Sequence, residues 1–451
     1  MADAKYDAIV IGGSGGKALT AAAYLAKYGG MKVAVFEWRH EAGGGWSTEE
    51  SPAPGFLGEV CASGVNEFTY AFDIIQEDFP GIREKGFRYF IPEVPVSIVD
   101  KDNNTSLCFY NELVDPDASR TCAEIARFSQ RDADTYKEFF ELMTKKFVPA
   151  VYRETMLGIR KPGVPSPLEK LLMDPGIIKD PSWLQMSILE FLRMTFPETP
   201  LLRGMILKAT KFAHIPINYP GTFMVGLLLG YMLNTRFSFV VGGTHSLCHA
   251  IQKEILANGG KMFTSNLVSK IVVENGKAKG VMLADGSFVE AKIVVSGASP
   301  FQLCFSLLDK EVIPKDVYQK MEGMRDAHYY SPMSATWTSY ASHECPKWKA
   351  AELDPNILLS GCVFMIGENY EEKELKDTGY RLYLRQPTWD TRSFYCMQYK
   401  IDKETSDPLR VPLGSGKHTF LLESNTPPFR ALNEKEWLEF KKKNYEYEMK
   451  V

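Results

Sequence analysis

The sequence lacks the features that would place it in several common classes of protein. None of its eight cysteines belongs to a C-x-x-C pair, and they are scattered along all 451 residues. This usage favours reduced thiols. The first apolar run begins at Tyr6, so we expect no cleavable targeting peptide and a cytoplasmic protein.

Long apolar runs and a strong charge of one sign are also missing. The longest apolar stretch, 221–233, is too short to span a bilayer and is closed by Asn234 and Arg236. We expect a buried helix there, or one lining an apolar pocket, although the composition remains compatible with peripheral membrane contact. A net charge of −4 gives no reason to expect nucleic-acid binding.

Signatures of hydrolytic or metal chemistry are weak. The sequence has no recognisable Cys–His pairing and no evident acid–base pair of carboxylates. His245 and His249 lie four residues apart in a predicted helix, which is a spacing that suits two metal ligands. No third ligand follows at a plausible spacing. We therefore expect packed or polar helix positions here and no metal.

The most informative stretch is Tyr6–Trp46. An apolar run, YDAIVI, predicts a strand buried on both faces, and Gly13, Gly15 and Ala18 then give the pattern G-x-G-x-x-A. An Ala-rich helix and a second apolar strand follow, ending at Glu37. This order of strand, glycine turn, helix and strand with a terminal acid is the fingerprint of an adenine dinucleotide site.

Each residue type in the fingerprint has a physical role. Gly13 would allow the tight turn, Gly15 would let the backbone approach the pyrophosphate, and Ala18 would let the helix pack closely on the strand. Amides at the helix N-terminus favour the phosphate charge. Glu37 could accept hydrogen bonds from ribose hydroxyls and would repel a 2′-phosphate, which argues against NADP. The alternative is a glycine-rich turn without a ligand.

The loop after Glu37, WRHEAGGGW, resembles that of FAD enzymes of the phytoene desaturase and carotenoid isomerase superfamily. Members have approximately E-x-R-x-x-x-G-G, and Glu37, Arg39, Gly43 and Gly44 match. The resemblance implies FAD as the cofactor, with this loop near its ribityl and pyrophosphate groups. The alternative is an ordinary flexible loop.

A second stretch, 240–300, resembles the later half of the same FAD domain. Two adjacent glycines precede a predicted helix over 245–258, and Asn-Gly and Asp-Gly turns then predict a three-stranded antiparallel meander. In the resembled family a valine of the first strand contacts the adenine through its backbone, and Val268 is the matching position. The cofactor-binding residues that the two stretches imply are Gly13, Ser14, Gly15, Gly16, Lys17, Ala18, Glu37, Trp38, Arg39, Gly44, Gly45, Trp46, Val268, Ser296 and Gly297.

We therefore predict an α/β protein with a Rossmann-like FAD-binding domain that carries an inserted antiparallel β-meander, plus a mixed α+β substrate domain. The FAD-binding domain would comprise 1–75 and 238–305, and the substrate domain 76–237 and 306–451. Three local expectations accompany this division. Residues 122–151 would form one long amphipathic helix, 433–447 a helix with a capping box of Asn433 and Glu436, and Glu49, Glu50 and Glu59 would be solvated.

One departure from the resembled family concerns the end of the chain. Full-length members continue to a C-terminal glycine-rich segment that returns to the flavin, whereas this sequence ends at Val451. The expectations are that a partner chain supplies the segment, that the chain was shortened, or that flavin binding is altered.

The resemblance implies an FAD-dependent oxidoreductase that acts on a lipophilic, unsaturated or isoprenoid-like substrate. The flavin would accept a hydride from the substrate, and an external electron acceptor would reoxidise it. Two other functions stay open: a flavin-dependent double-bond isomerase, and a noncatalytic flavin- or lipid-binding subunit. The sequence does not identify the catalytic residues.

Overall fold

The computed structural model describes residues 5–62, 69–152, 161–212, 215–329, 334–379, 384, 394–427 and 429–450. The strands are β1 Lys5–Ile11, β2 Val33–Phe36, β3 Thr48–Ala53, β4 Phe56–Glu59, β5 Tyr89–Phe90, β6 Val94–Asp100, β7 Thr105–Phe109, β8 Phe239–Val240, β9 Lys261–Phe263, β10 Val268–Glu274, β11 Lys277–Leu283, β12 Phe288–Ser296, β13 Ser334–Ser342, β14 Ser360–Ile366, β15 Phe394–Met397 and β16 His418–Thr426. The α-helices are α1 Thr20–Lys27, α2 Thr69–Asp78, α3 Ser119–Ala126, α4 Gln130–Leu142, α5 Val148–Tyr152, α6 Pro167–Leu172, α7 Ile188–Thr195, α8 Pro200–Phe212, α9 Phe223–Arg236, α10 His245–Ala257, α11 Pro300–Gln302, α12 Lys315–Tyr329, α13 Tyr370–Gly379 and α14 Glu434–Glu448.

The chain divides into two compact units. The first consists of Met1–Ser63, Ile75–Tyr89 and Val240–Ser331, and the second of Gly64–Ile74, Phe90–Phe239 and Pro332–Val451. Each unit therefore draws on segments that are distant in sequence.

The first unit is built on a six-stranded sheet in the order β10-β11-β12-β1-β2-β9. β1 pairs in parallel with both β2 and β12, and β2 pairs in parallel with β9. All four residues of β2 are buried, as expected for a strand covered on both faces. β10, β11 and β12 form an antiparallel meander. The predicted α/β class and Rossmann-like domain are confirmed.

The meander turns follow from their sequences. Asn275 and Gly276 both have positive φ, 52° and 71°, which is the conformation that a two-residue hairpin turn requires. Gly286, in the second turn, has φ of 85°. Glycine, and to a lesser degree asparagine, adopts this region at low cost. Both predicted turns are confirmed.

The second unit holds another six-stranded sheet, in the order β13-β16-β15-β14-β6-β7. α8 and α9 pack together and against β6. The core of this unit contains Phe223, Leu227 and Tyr231 of α9, which confirms that the apolar stretch forms a buried helix. In the described parts of the chain, no helix is long and apolar enough to cross a membrane.

The prediction of one helix over 122–151 was wrong, because the chain breaks between α3 and α4. Ser129 is extended, with φ of −157°, and its side chain accepts a hydrogen bond from the Asp132 N–H, 3.1 Å away. A serine hydroxyl satisfies an otherwise unpaired amide at a helix start, so it favours a new helix over a continuous one. The predicted capping box of Asn433 and Glu436 is present at the start of α14.

Replacing Ser129 tests this account of the break. We expect Ser129→Ala to destabilise the second unit by about 1 kcal/mol through loss of the cap, which for a unit of this size lowers the Tm by about 2 °C. Thr135→Ala is the matched control, since Thr135 is a half-buried hydroxyl residue within α4 that donates to the Arg131 carbonyl and caps no helix start. Thermal unfolding followed by circular dichroism measures both. Equal midpoints for the two variants would contradict the cap.

Candidate functional site

A cavity of about 400 Å³ lies within the first unit, where β1, β2 and β12 end. Because β1 has β2 on one side and β12 on the other, the cavity occupies the crevice at which parallel α/β sheets bind ligands. Its lining residues are Ile11, Gly12, Ser14, Phe36, Glu37, Trp38, Arg39, Gly44, Leu267, Val268, Ser269, Gly297, Ala298, Gln302, Ser306 and Leu307.

Glu37 is the charged group at the centre of this arrangement. The residue is only 5% exposed, and both of its carboxylate oxygens accept backbone hydrogen bonds. The Gly13 N–H donates to Oε2 at 2.6 Å, and the Arg39 N–H donates to Oε1 at 2.8 Å. A carboxylate oxygen can accept more than one hydrogen bond, so Glu37 is held in place and still offers acceptor capacity to the cavity.

The glycine turn differs in detail from the expectation. The left-handed residue is Gly12, with φ of 85°, and not Gly13. Gly13 is required by crowding instead, because a Cβ there would lie 2.5 Å from the Cβ of Ala42. The Gly15 N–H donates to the Gly43 carbonyl at 3.1 Å, and the Gly43 N–H donates to the Gly13 carbonyl at 2.9 Å. The loop containing Gly43 is thereby hydrogen-bonded to the turn.

Gly15 is also required by packing. A Cβ there would lie 2.5 Å from Cys248 Sγ and 2.7 Å from Cε3 of Trp46. Burial, with Glu59 and Glu41 nearby, raises the pKa of Cys248 to about 12, so this thiol keeps its proton. The role of Gly15 in approaching a pyrophosphate stays a prediction, since its amide already bonds to Gly43.

Ala18 lies where close helix–strand packing was predicted. A Cβ on Gly297 would lie 2.5 Å from the Cβ of Ala18. The Gly297 N–H donates to the Ile11 carbonyl at 2.8 Å, which ties the residue after β12 to the end of β1. Small side chains at both positions therefore let the helical segment approach the sheet.

Two buried hydroxyls test whether the site fits a dinucleotide. Ser14 Oγ, at the cavity, and Ser296 Oγ, at the end of β12, are buried and have no hydrogen-bond partner within the described residues. Buried hydroxyls normally find a partner. Of these, Ser14 lines the cavity together with Glu37, and the two supply a hydroxyl donor and a carboxylate acceptor of the kind that a ribose–phosphate ligand needs, so they fit the group.

The structure brings only some of the predicted cofactor residues to the cavity. Ser14, Glu37, Trp38, Arg39, Gly44, Val268 and Gly297 line it. Ser296, at the end of β12, does not line it. In or beside the turn and loop, Gly13, Gly15 and Ala18 are buried, and Gly16, Lys17 and Gly45 are exposed. Trp46 covers Gly15 and Gly16. The Arg39 guanidinium pairs with Glu49 at 3.0 Å, so part of its charge is neutralised.

Sequence reasoning missed the cavity residues that follow β12. Gln302, Ser306 and Leu307 belong to a helical turn after the strand. No fingerprint marks these positions, since they reach the cavity through the return of the chain from the meander. The clearest available signal was the apolar strand ending at Ser296.

The expectation that Glu59 is solvated was wrong. The residue is 3% exposed, and its carboxylate accepts from the Thr244 N–H at 3.1 Å and the Thr244 Oγ at 2.8 Å. It also accepts from the Thr48 hydroxyl at 2.8 Å. Thr244 directly precedes α10, where backbone N–H groups have no partner within the helix. The Glu59 carboxylate accepts from one of these groups, and its negative charge interacts favourably with the positive end of the helix dipole.

The second unit contains a Cys–His pair that the sequence did not reveal. Cys345 Sγ lies 2.9 Å from His418 Nδ1, and Ser406 Oγ lies within 3.2 Å of both atoms. Burial, with Lys400 nearby, lowers the pKa of His418. The partners are 73 residues apart, so no local pattern marks the pair. It lies outside the cavity of the first unit.

Comparison with known proteins gives the site a context. A family profile described as an NAD(P)-binding Rossmann-like domain matches residues 10–77. A limonene dehydrogenase subunit of Castellaniella defragrans is 26% identical over 372 residues, covering 79% of this chain and 63% of that protein. Pyridine nucleotide-disulfide oxidoreductase domain-containing protein 2 of Mus musculus is 28% identical over 338 residues, covering 69% and 56%.

Carotenoid enzymes also appear among the relatives. A 4,4'-diapophytoene desaturase of Methylomonas sp is 23% identical over 316 residues, covering 66% of this chain and 54% of that protein. A prolycopene isomerase of Daucus carota is 33% identical over 79 residues, covering 18% and 13%. The resemblance to phytoene desaturases and carotenoid isomerases is confirmed. The match spans somewhat over half the length of the limonene dehydrogenase subunit, the mouse protein and the diapophytoene desaturase.

Solved structures share the fold. An oxidoreductase from Methanosarcina mazei aligns with a TM-score of 0.56 at 15% identity, covering 99% of this chain and 83% of that one. Putrescine oxidase bound to putrescine aligns with a TM-score of 0.53 at 14% identity, covering 96% and 79%. The fold is therefore shared with oxidoreductases, and the relatives named above comprise a dehydrogenase subunit, an oxidoreductase domain-containing protein, a desaturase and an isomerase.

Substitution of neighbouring glycines tests the packing of the turn. We expect Gly15→Ala to lower the free energy of unfolding by about 1–3 kcal/mol, because the new methyl group must displace Trp46 and Cys248. Gly16→Ala is the matched control, since its Cβ would meet only the edge of the Trp46 ring, at 3.3 Å. Denaturation of both variants without added nucleotide gives the comparison. Equal stabilities would show that the crowding at Gly15 does not decide its identity.

Proposed function

We propose that the protein is an FAD-dependent oxidoreductase that dehydrogenates a lipophilic, unsaturated or isoprenoid-like substrate. The observation that carries the proposal is Glu37. It is a buried carboxylate fixed by the Gly13 and Arg39 amides at a cavity where β1 and β2 end. The relationship to desaturases supports FAD rather than a nicotinamide as the nucleotide.

The residues of the cavity have separate roles in holding FAD. Glu37 accepts from the hydroxyls of the adenosine ribose, and Val268 contributes backbone to the adenine site. Ser14 supplies a hydroxyl donor, and Arg39 supplies positive charge near the phosphates. Bound FAD supplies the hydride acceptor of the reaction.

The substrate class rests on chemistry named in the relatives. Limonene dehydrogenase and diapophytoene desaturase are both named for unsaturated isoprenoids. We propose that an apolar site accepts such a molecule, that an external electron acceptor reoxidises the flavin, and that the protein acts in the cytoplasm or in peripheral contact with a membrane.

Two alternative functions each have one observation in their favour. The relation to prolycopene isomerase favours double-bond isomerisation without net oxidation. The relation to a protein named as one subunit of a dehydrogenase favours a chain that works with a partner, which would complete the flavin site. Product mass separates the first alternative, because desaturation removes two hydrogens and isomerisation removes none.

Glu37→Gln tests the cofactor assignment. A glutamine offers one acceptor oxygen where the structure uses two, and it loses the charge. We expect FAD affinity to fall about 10- to 100-fold, as for loss of one charge-assisted hydrogen bond. Quenching of FAD fluorescence by the apoprotein measures the dissociation constant.

The control for that variant is Glu290→Gln. Glu290 lies in the same sheet, with its carboxylate half exposed and paired with Lys5. We expect unchanged FAD affinity. Wild-type affinity in both variants would contradict the ribose role of Glu37, whereas a weaker affinity in both would point to a general loss of stability.

Anaerobic titration of the FAD-loaded protein tests the reaction. We expect limonene or phytoene to bleach the oxidised flavin absorption, because a hydride from one C–H bond would reduce the flavin while the neighbouring carbon releases a proton to solvent. Admission of an electron acceptor should restore the colour and release a product lighter by two hydrogens. Flavin that stays oxidised while FAD remains bound would favour the noncatalytic role, and product of unchanged mass would favour isomerisation.

A further inference from the structure

Glu41, His245 and His249 form a side-chain cluster in the first unit that the proposed function does not use. Each offers one ligand atom, and these atoms all lie within 4.8 Å of one another. The histidines occupy the same face of α10, with ring centroids 4.1 Å apart. Glu41 comes from the loop after Glu37, which is why no spacing near the histidines revealed a third ligand.

The distances suit a single metal ion. His245 Nδ1 lies 3.4 Å from Glu41 Oε1, which is long for a hydrogen bond. This distance equals the separation of about 3.4 Å between two ligand atoms that each lie about 2.1 Å from a tetrahedral zinc ion. Because the three ligand atoms are at most 4.8 Å apart, an ion placed between them would lie within about 2.8 Å of each atom. Each ligand atom would then have to move by less than about 1 Å to reach a zinc–ligand bond length of about 2.1 Å.

Burial lowers the pKa of both His245 and His249. Glu41 and Glu49 raise the pKa of His245, whereas Arg39 and His40 lower it. For His249, Glu41 raises the pKa, and His245 and Lys253 lower it. The Cys248 thiol points to the Trp46 carbonyl, 3.6 Å away, and packs at Gly15, so the cluster offers nitrogen and oxygen ligands.

We propose that Glu41, His245 and His249 bind a divalent transition-metal ion of the zinc type. Two imidazoles and one carboxylate are a ligand set that zinc accepts, and water completes the coordination on the exposed side of His249. Magnesium is disfavoured, since it prefers oxygen ligands.

The proposed metal would tie the loop that carries Gly43 and Gly44 to α10. Glu41 lies two residues before Gly43, whose backbone bonds to both Gly13 and Gly15. Ion binding to the folded state would therefore stabilise the loop next to the glycine turn. The expected effect of the ion is therefore on the stability of this loop, and the site is distinct from the cavity lined by Glu37.

Calorimetric titration of ZnCl₂ into chelator-treated protein, with and without FAD, tests the proposal. We expect saturable binding of one zinc per chain, weakened at least tenfold by His249→Ala and by Glu41→Gln. His249 is exposed, so its removal should leave the fold intact. Magnesium chloride in place of zinc should give no saturable binding.

Two controls assign the ion to this cluster. His343→Ala removes an exposed histidine elsewhere and should leave the affinity unchanged. Cys345→Ser removes the thiol of the Cys345–His418 pair, whose sulfur and nitrogen are competing ligands for a transition metal. With Co²⁺ as the probe, we expect visible bands of a tetrahedral ion without a sulfur-to-cobalt charge-transfer band.

The outcomes are decisive in both directions. Zinc binding lost in His249→Ala and in Glu41→Gln but kept in Cys345→Ser supports the site. The proposal is overturned if the wild type shows no saturable zinc binding, or if both cluster variants keep their affinity within threefold. It is also overturned if a sulfur charge-transfer band appears and is lost in Cys345→Ser. FAD affinity is measured separately, so failure of the metal site leaves the cofactor proposal unaffected.

Discussion

The buried carboxylate of Glu37 is the interaction on which the architecture of the site depends. An isolated buried charge is costly, and hydrogen bonds from backbone amides offset that cost. Here the two amides come from the glycine turn after β1 and from the loop after β2. The same carboxylate therefore links the glycine turn to the loop after β2, next to the hydrogen bonds that Gly43 makes with Gly13 and Gly15, and it lines the cavity.

A second constraint is steric and lies next to the first. Gly13 and Gly15 are surrounded by Ala42, Trp46 and Cys248 at distances that leave no room for a side chain. The fingerprint glycines thus serve the packing of the protein itself, in addition to any role toward a nucleotide. This explains why the turn, the loop and α10 form one close-packed layer, in which the amides of Gly13 and Gly15 already have acceptors.

The sequence predicted what depends on local chemistry. The paired strands, the turns at Asn275–Gly276 and Gly286 and the cap of α14 follow from residues that are neighbours along the chain. It did not predict contacts made by tertiary folding: Glu59 with Thr244, Glu41 with His245, and Cys345 with His418. Periodicity carries no information on such pairs, because their separation in sequence is set by the path of the chain. The break at Ser129 was missed for another reason. The helical spacing of buried residues in α3, such as Ile125, continues into α4 at Ala133 and Tyr136, so the spacing alone does not reveal the break.

Glu37 and Glu59 anchor the two ends of one segment of the chain. Glu37 holds the start of the 37–59 segment to the glycine turn, and Glu59 holds its end to the amide that precedes α10. The proposed metal ligand Glu41 and the proposed cofactor loop at Gly44 both lie between these anchors. If the metal ion holds this segment in the arrangement that FAD prefers, it strengthens FAD binding. Since linkage is reciprocal, FAD then strengthens metal binding by the same factor. The close hydrogen bonding of Gly43 to Gly13 and Gly15 indicates that little freedom remains to be lost, so the coupling between the two proposed sites should be small and positive.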